Sequence, residues 1–435
     1  MINSTIMIKR IIKISLCVFV LTALLSSCKS DNEVFTQSPV EREEARQKEL
    51  REVLTSSAEG WKLEYFTNDS GIGGFSFLMK FTDDGRVTMI SDFNDEGYTE
   101  TEGEYEIQLR ATTSLVFTTR NKIHELSDPM NSALVAGRGF EGEYQFRYYG
   151  HTEDEILFRS TKKPDNEIRF VRASNEDWSG FENRKAVVEG LANPDAPIFR
   201  SVEVSNGSDI KKYDAIFTSS LRFMSFNDGT DQDLLAGKKG FGIGYTNDGA
   251  IISPAIMIDD VEYTEFKWNS TNKELVSVNE GNTVVKIKLV DSPSKWSSEY
   301  KDYFFSNKQE RLIFQREYLL RAPSNTEKFY NLMEPTSVEQ FDIYGQNGMV
   351  RVVYFTEEGG QYAYQTPVTD GGNKVVIGNG SWQNESSVPD NIKQLHQGLF
   401  EEGEFLVKDQ KYNIYYINKI VTVYCGGVVF DTWLF

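Results

Sequence analysis

The sequence predicts a mainly β protein: an antiparallel up-and-down meander closing into a barrel-like N-terminal domain, then a second β-rich region, with a few short helices. Three observations predict it. Apolar residues recur with period two in short runs, as where Trp61, Leu63 and Tyr65 alternate with Lys62, Glu64 and Phe66; that spacing buries one face of a strand. Polar turns separate the runs, the pattern of sequential hairpins. Composition agrees, since 39% apolar residues with 13% aromatics can fill β cores, which excludes wholesale disorder. At 435 residues the chain has room for two or three domains, because one core rarely grows past roughly 250–300 residues.

In chain order, residues 1–27 read as a lipoprotein signal peptide, with Met1 or Met7 as its start. Lys9, Arg10 and Lys13 make a basic opening, and Ile14–Leu25 is apolar but shorter than the roughly 20 residues of a spanning helix. The run ends in Leu25-Ser26-Ser27-Cys28, the lipobox pattern: small residues precede a cysteine whose thiol takes diacylglycerol and whose amine is acylated after cleavage. Cys28 is the expected lipidation site. Residues 28–40 are a polar tether. A domain over 41–192 opens with a helix, Glu41–Leu54, which Ser38 and Glu41 start as a capping box with Pro39 in the first turn.

Eight strands are expected next: Trp61–Phe66, Phe75–Phe81, a run around Val87 and Met89, Glu104–Leu109, Ser114–Thr119, Glu143–Tyr149, Glu155–Arg159 and Glu167–Arg172. A helix over Asn175–Leu191 leads to the linker Asn193-Pro194-Asp195-Ala196-Pro197. The region 193–435 repeats the style, with a sub-repeat break near 323 and short helices at Thr326–Met333 and Asn391–Gly398. Three apolar strands, Asn413–Asn418, Ile420–Tyr424 and Val428–Leu434, end it. Two echoes suggest duplication. One is the turn Phe81-Thr82-Asp83-Asp84-Gly85, matched by Tyr245-Thr246-Asn247-Asp248-Gly249 and Phe355-Thr356-Glu357-Glu358-Gly359. The other pairs Leu134–Phe140 with Leu235–Phe241.

The net charge of −19 becomes −22 once the three leader bases are removed. A chain this acidic repels phosphate backbones, so nucleic acid is excluded as a partner. Cys17 leaves with the leader, Cys28 is spent on lipid, and Cys425 sits in an apolar strand, so no disulfide framework exists. Gly137-Arg138-Gly139-Phe140-Glu141-Gly142 spells G-x-G-x-x-G, but a strand follows it where a dinucleotide site needs a helix. Asp228, Asp231 and Asp233 cluster in a loop that reads as a solvated hairpin, with Ca²⁺ as the alternative. Glu100, Glu102, Glu104 and Glu106 share one strand face, which reads as solvated. The three histidines are scattered and form no zinc pattern, nor is there a nucleophile elbow, so no catalytic residues are assigned. Trp382, Tyr362 and Tyr364 stand in polar company and are the candidate ligand-binding residues: flat rings can stack on sugars while neighbouring amides bond hydroxyls.

The lipobox, the run Glu33-Val34-Phe35-x-Gln37-Ser38-Pro39-x-Glu41-Arg42, Gly60-Trp61-Lys62-Leu63, Leu115-Val116-Phe117-Thr118-Thr119 and Lys122-Ile123-His124-Glu125-Leu126-Ser127-Asp128-Pro129 carry a resemblance. Together they are similar to a family of Bacteroidota surface lipoproteins, a domain of unknown function found near SusC/SusD-type importers. The likeness covers the signal and roughly residues 30–180. Lys29-Ser30-Asp31-Asn32-Glu33 resembles the acidic export signal of such proteins. A helix, Gly-Trp and eight strands resemble the lipocalin-like shape, which carries little functional weight. The resemblance implies a lipid-anchored, surface-exposed protein of the outer membrane and supplies no catalytic residues. The expected function is therefore a non-enzymatic accessory or ligand-binding component of a SusC/SusD-type nutrient uptake system, with a glycan or peptide ligand and importer subunits as partners. No cofactor is expected beyond the covalent lipid on Cys28 and the Ca²⁺ alternative. Two other readings stay open. A surface hydrolase of glycans or peptides would need two carboxyl groups in unlike environments roughly 5–10 Å apart; a structural or adhesive protein would need no cleft.

Overall fold

The computed structural model describes residues 38–131, 137–163, 166–192, 199–226, 239–279, 281–290, 300–320, 322, 325–372, 374–400, 402–413 and 416–435, with only the backbone described between 409 and 418. Met1–Leu50 and Arg51–Phe435 are separate compact units. Helix α1 (Pro39–Thr55) begins in the first, and all the strands belong to the second. Its start is the expected capping box: the Ser38 N–H donates to Glu41 Oε2 at 2.7 Å and the Glu41 N–H to Ser38 Oγ at 3.2 Å.

The protein is mainly antiparallel β. The first eight strands are β1 (Trp61–Phe66), β2 (Gly74–Phe81), β3 (Arg86–Ser91), β4 (Thr101–Leu109), β5 (Thr113–Phe117), β6 (Gln145–His151), β7 (Glu155–Ser160) and β8 (Glu167–Arg172). They pair in chain order and close into a barrel where Trp61, Lys62 and Leu63 meet Arg172, Val171 and Phe170. Closure leaves no free strand edge. Trp61, Leu63, Phe77, Phe146, Phe158 and Phe170 are fully buried, with the rings of Phe158 and Phe170 4.7 Å apart. In β4 Tyr105 and Ile107 are buried while Glu102, Glu104 and Glu106 stand exposed, so period two alone sorted that strand.

The helix expected over Asn175–Leu191 is interrupted. It forms α2 (Asn175–Ser179), a 3₁₀ turn at Phe181–Asn183, and α3 (Arg184–Ala192). The interruption falls at Gly180, whose N–H donates to Glu176 O at 2.9 Å. That carbonyl also accepts Asn247 Nδ2 at 3.3 Å, and a Cβ at position 180 would lie 2.6 Å from the same nitrogen. A tertiary partner thus ends the helix where local pattern would continue it.

A second closed barrel follows: β9 (Phe199–Asn206), β10 (Asp209–Thr218), β11 (Phe223–Phe226), β12 (Gly240–Tyr245), β13 (Gly249–Ile258), β14 (Val261–Asn269), β15 (Glu274–Ser277) and β16 (Thr283–Val290). Strand β9 closes it, since Val202 pairs with Tyr213 on one side and Ile287 on the other. Its outer face is a charge lattice, with Lys212 3.0 Å from Glu203 and Lys286 2.9 Å from Glu274.

The third sheet comprises β17 (Glu310–Gln315), β18 (Val338–Gln346), β19 (Met349–Thr356), β20 (Gln361–Asp370), β21 (Val375–Ile377), β22 (Ser381–Trp382), β23 (Glu404–Asn413), β24 (Tyr416–Cys425) and β25 (Val428–Leu434). Helices α4 (Tyr300–Phe304), α5 (Arg316–Leu319), α6 (Glu327–Met333) and α7 (Asp390–Phe400) decorate it. The sheet has nine strands. Its pairings also come full circle, because β19 pairs with β20, β20 with β21, β21 with β23, and β25 with β17. Phe314 and Phe341 stack at 4.8 Å and Phe329 and Phe430 at 4.9 Å in its core.

Two further expectations change here. Asn413–Asn418 and Ile420–Tyr424 are not separate strands; β24 runs from Tyr416 to Cys425. Lys419, polar enough to suggest a break, stays in register with its Nζ 3.3 Å from the Tyr303 hydroxyl. The aromatic-Thr turns lie between β2 and β3, β12 and β13, and β19 and β20. Those are the second, fourth and third connections of their sheets, so the turns share hairpin chemistry without occupying equivalent places. The second echo includes residues 134–136 and 235–238, outside the described residues.

Candidate functional site

The three aromatic candidates come together. Period two puts Tyr362 and Tyr364 on one face of β20, and the pairing Tyr364↔Trp382 adds the β22 indole to that face. The same face of β19 carries Val352 and Tyr354, which pair with Tyr364 and Tyr362. Tyr362 and Trp382 pack against the buried core, and all three candidate rings are half-buried. Tyr364 and Trp382 meet edge to face with centroids 5.3 Å apart.

Helix α7 brings a fourth ring that the sequence left among its scattered histidines. Its buried stripe of Ile392, Leu395 and Leu399 fixes the helix on the core and turns His396 onto the aromatics. The imidazole centroid lies 4.1 Å from Tyr364 and 5.1 Å from Trp382. Its Nδ1 is 2.8 Å from the buried hydroxyl of Tyr354. Burial pushes His396 down to about 3 and holds Tyr354 well above its ordinary value, so both are neutral at physiological pH. With the Tyr354 O–H donating to Nδ1, the ring proton sits on Nε2. The signal for His396 was its spacing from Ile392 and Phe400 on one helix face, unreadable as a site without knowing what that face covers.

The result is four aromatic rings with polar edges. Among the described residues, neither the indole N–H of Trp382 nor the hydroxyls of Tyr362 and Tyr364 has a hydrogen-bond partner, and none of these atoms is sealed from solvent. Such a cluster can stack on a flat or ring-shaped ligand and donate hydrogen bonds at its rim. The neighbouring amide does not join it. Gln383 donates its backbone N–H to Ala363 O at 2.8 Å, and its Oε1 accepts Arg351 Nη2 at 3.3 Å.

The other candidates fall elsewhere. Cys28 and the trio Asp228, Asp231 and Asp233 lie outside the described residues. Among the described residues no group of three or more His, Cys, Asp or Glu side chains could hold a metal ion. Cys425 is a buried free thiol, which burial pushes well above its ordinary value. The glycine run near Gly139 packs on Lys122–Ser127: the Phe140 and Gly142 N–H groups both donate to Leu126 O, at 2.8 and 3.1 Å. A strand follows, Gln145–His151.

One pair of carboxyl groups in unlike settings does exist. Ser76 joins them, donating its N–H to Asp92 Oδ1 at 2.9 Å while its hydroxyl bonds Glu64 Oε2. Arg222 Nη1 is 2.9 Å from Asp92 Oδ1, and Arg184 Nη2 is 3.5 Å from Glu64 Oε1. The side chain of Asp92 is 0% exposed and that of Glu64 20%, so one carboxyl group is enclosed while the other is partly open. The pair joins the first barrel to the second.

A family profile described as "Domain of unknown function (DUF4302)" matches residues 31–270. No curated protein matches the chain. Among solved structures, the chain is similar to the crystal structure of a protein described as a DNA polymerase III beta subunit from Eubacterium rectale, at 9% identity over 89% of this chain and 96% of that one. The TM-score of 0.16 is too low for that likeness to carry an argument about fold or function.

Proposed function

The chain belongs to the DUF4302 family, whose profile runs from the tether through the end of β14, and on that premise we propose that it is a non-enzymatic ligand-binding lipoprotein of the bacterial surface. Lipid at Cys28 holds it to the outer membrane with the body facing outward. It serves as an accessory component of a SusC/SusD-type uptake system, in a Bacteroidota cell. The observation that carries the binding role is the Trp382–Tyr364–His396 cluster with Tyr362 beside it: among the described residues, the Trp382 indole N–H and the Tyr362 and Tyr364 hydroxyls of these half-buried rings have no hydrogen-bond partner. The neutral histidine suits a ligand recognised by stacking and hydrogen bonds, a glycan or an aromatic-bearing peptide.

The test titrates the mature chain calorimetrically with ligands chosen from glycan and peptide arrays. Trp382→Ala is expected to weaken binding at least tenfold, about 1.4 kcal/mol or more, because indoles dominate such sites. Retention of full affinity by that variant, or no glycan or peptide bound by the wild type, overturns the binding role. The address is tested separately. Cys28→Ala is expected to lose palmitate labelling and leave the membrane fraction; a variant that still labels and still sediments with membranes refutes the anchor.

A further inference from the structure

The first two barrels meet at a joint whose contacts include one hydroxyl placed between two acceptors. Main chains cross it closely: the Gly73 N–H donates to Leu221 O at 2.7 Å, and a Cβ on Gly242 would lie 2.7 Å from Gly73 Cα. Ser76, on β2 of the first barrel, lies between two acceptors. Its Oγ bonds Glu64 Oε2 on one side and lies 3.1 Å from the Tyr245 carbonyl of the second barrel on the other. A hydroxyl has one proton to donate. If Glu64 is ionised, Ser76 can serve the carboxylate or the carbonyl, but not both. If Glu64 is protonated, its own O–H donates to Ser76 Oγ and the Ser76 O–H is free to donate to Tyr245 O, completing a chain from one barrel to the other.

We propose that Glu64, Ser76 and Tyr245 form a proton-sensitive latch between the first and second barrels, closed when Glu64 carries its proton and loosened when it does not. The groups facing Glu64 permit this. Arg184 approaches from α3 at 3.5 Å, with its Nε donating to Tyr245 O at 2.9 Å, so that carbonyl keeps one donor in either state. Asp92, beyond β3, is held by Arg222 and contributes a second negative charge. Lys62, two residues earlier on β1, is engaged by Asp177 at 2.8 Å. Burial, the largest effect, pushes Glu64 up to about 7 against the pull of Arg184, Ser76 and Lys62. A carboxyl whose pKa is higher in the closed state than in the open one keeps its proton on closing. The latch is therefore strongest on the acid side and weakens as pH rises from the ordinary carboxylate range through about 7, then levels off.

Amide hydrogen exchange on the full mature chain at pH 5.5 and 8.5, corrected for intrinsic rates, reads the latch at the Gly73 amide. The expected opening constant is roughly thirtyfold higher at pH 8.5, the linkage expected between these two pH values for a carboxyl group at about 7 closed and 4.5 open. Glu64→Gln, whose amide donates at every pH, is expected to show the same protection at both. Ser76→Ala, which keeps the backbone bond to Asp92, is expected to lose the difference as well. Equal wild-type protection at the two pH values, or a Glu64→Gln variant that keeps the wild-type difference, overturns the proposal. The wild type also supplies a check that needs no variant: an infrared band from a protonated carboxyl should disappear with a midpoint near neutrality, and its absence at pH 5.5 equally overturns the latch.

Discussion

Replacing Arg222 by methionine lowers the stability of the joined first and second barrels by about 3–5 kcal/mol, the cost of leaving a buried charge without its counterion. The Asp92 carboxylate is fully enclosed, and Arg222 supplies both its ion pair at 2.9 Å and a bond to its backbone carbonyl. The guanidinium also donates to Gly74 O at 3.0 Å and lies over the rings of Phe75 and Tyr245, at 4.4 and 4.9 Å. Methionine keeps most of the apolar stem, so the loss reports the charge and its hydrogen bonds more than the volume. Urea unfolding followed by circular dichroism measures it. The double variant with Asp92→Asn should recover a substantial part, because no bare anion then remains. A single-variant loss below about 1 kcal/mol would show that Asp92 finds water or another partner.

Trp61→Ala is expected to cost a similar amount, about 3–5 kcal/mol, by a different route. Trp61 is 0% exposed and sits where β1 meets both β2 and β8, paired with Met79 and Arg172. Its indole N–H donates to Leu54 O at 2.8 Å, near the end of α1, and Arg172 lies 5.0 Å over the ring. Alanine leaves a cavity at the barrel seam and a helix-end carbonyl without its donor. Trp61→Phe separates the two effects, since it keeps much of the ring but removes the hydrogen bond, and is expected to lose only about 1–2 kcal/mol. Thermal unfolding midpoints of the three proteins should rank wild type, then phenylalanine, then alanine.

Much of the architecture was legible from period two. Each expected strand from Trp61 to Arg172 corresponds to a strand in the barrel, with ends displaced by a few residues. Where the expectation departed from the structure, a distant residue intervened. Asn247 reaches back to end α2 at Gly180, and Tyr303 accompanies Lys419 through β24. Barrel closure could not be read at all, because nothing local in Trp61 says that it pairs with Arg172, or in Leu312 that it pairs with Leu434. The candidate site was legible as far as its chemistry was local. Trp382, Tyr362 and Tyr364 stood out by composition, while His396 looked isolated until α7 was seen to pack on the same core. Glu64 read only as a polar residue in the alternation of β1 and Asp92 drew no reading, and only the second barrel makes them a joint.

By itself the sequence determined what depends on neighbours along the chain: the net acidity, the alternation that makes strands and the glycine turns that reverse them. Those follow from spacing and charge, which need no partner in space. The tertiary structure alone decided which strands close each ring, which rings share one face, and which carboxyl groups meet at the joint between the first two barrels. Each of these depends on desolvation and on pairing between residues far apart in the chain, as when Arg222 encloses Asp92 across 130 positions.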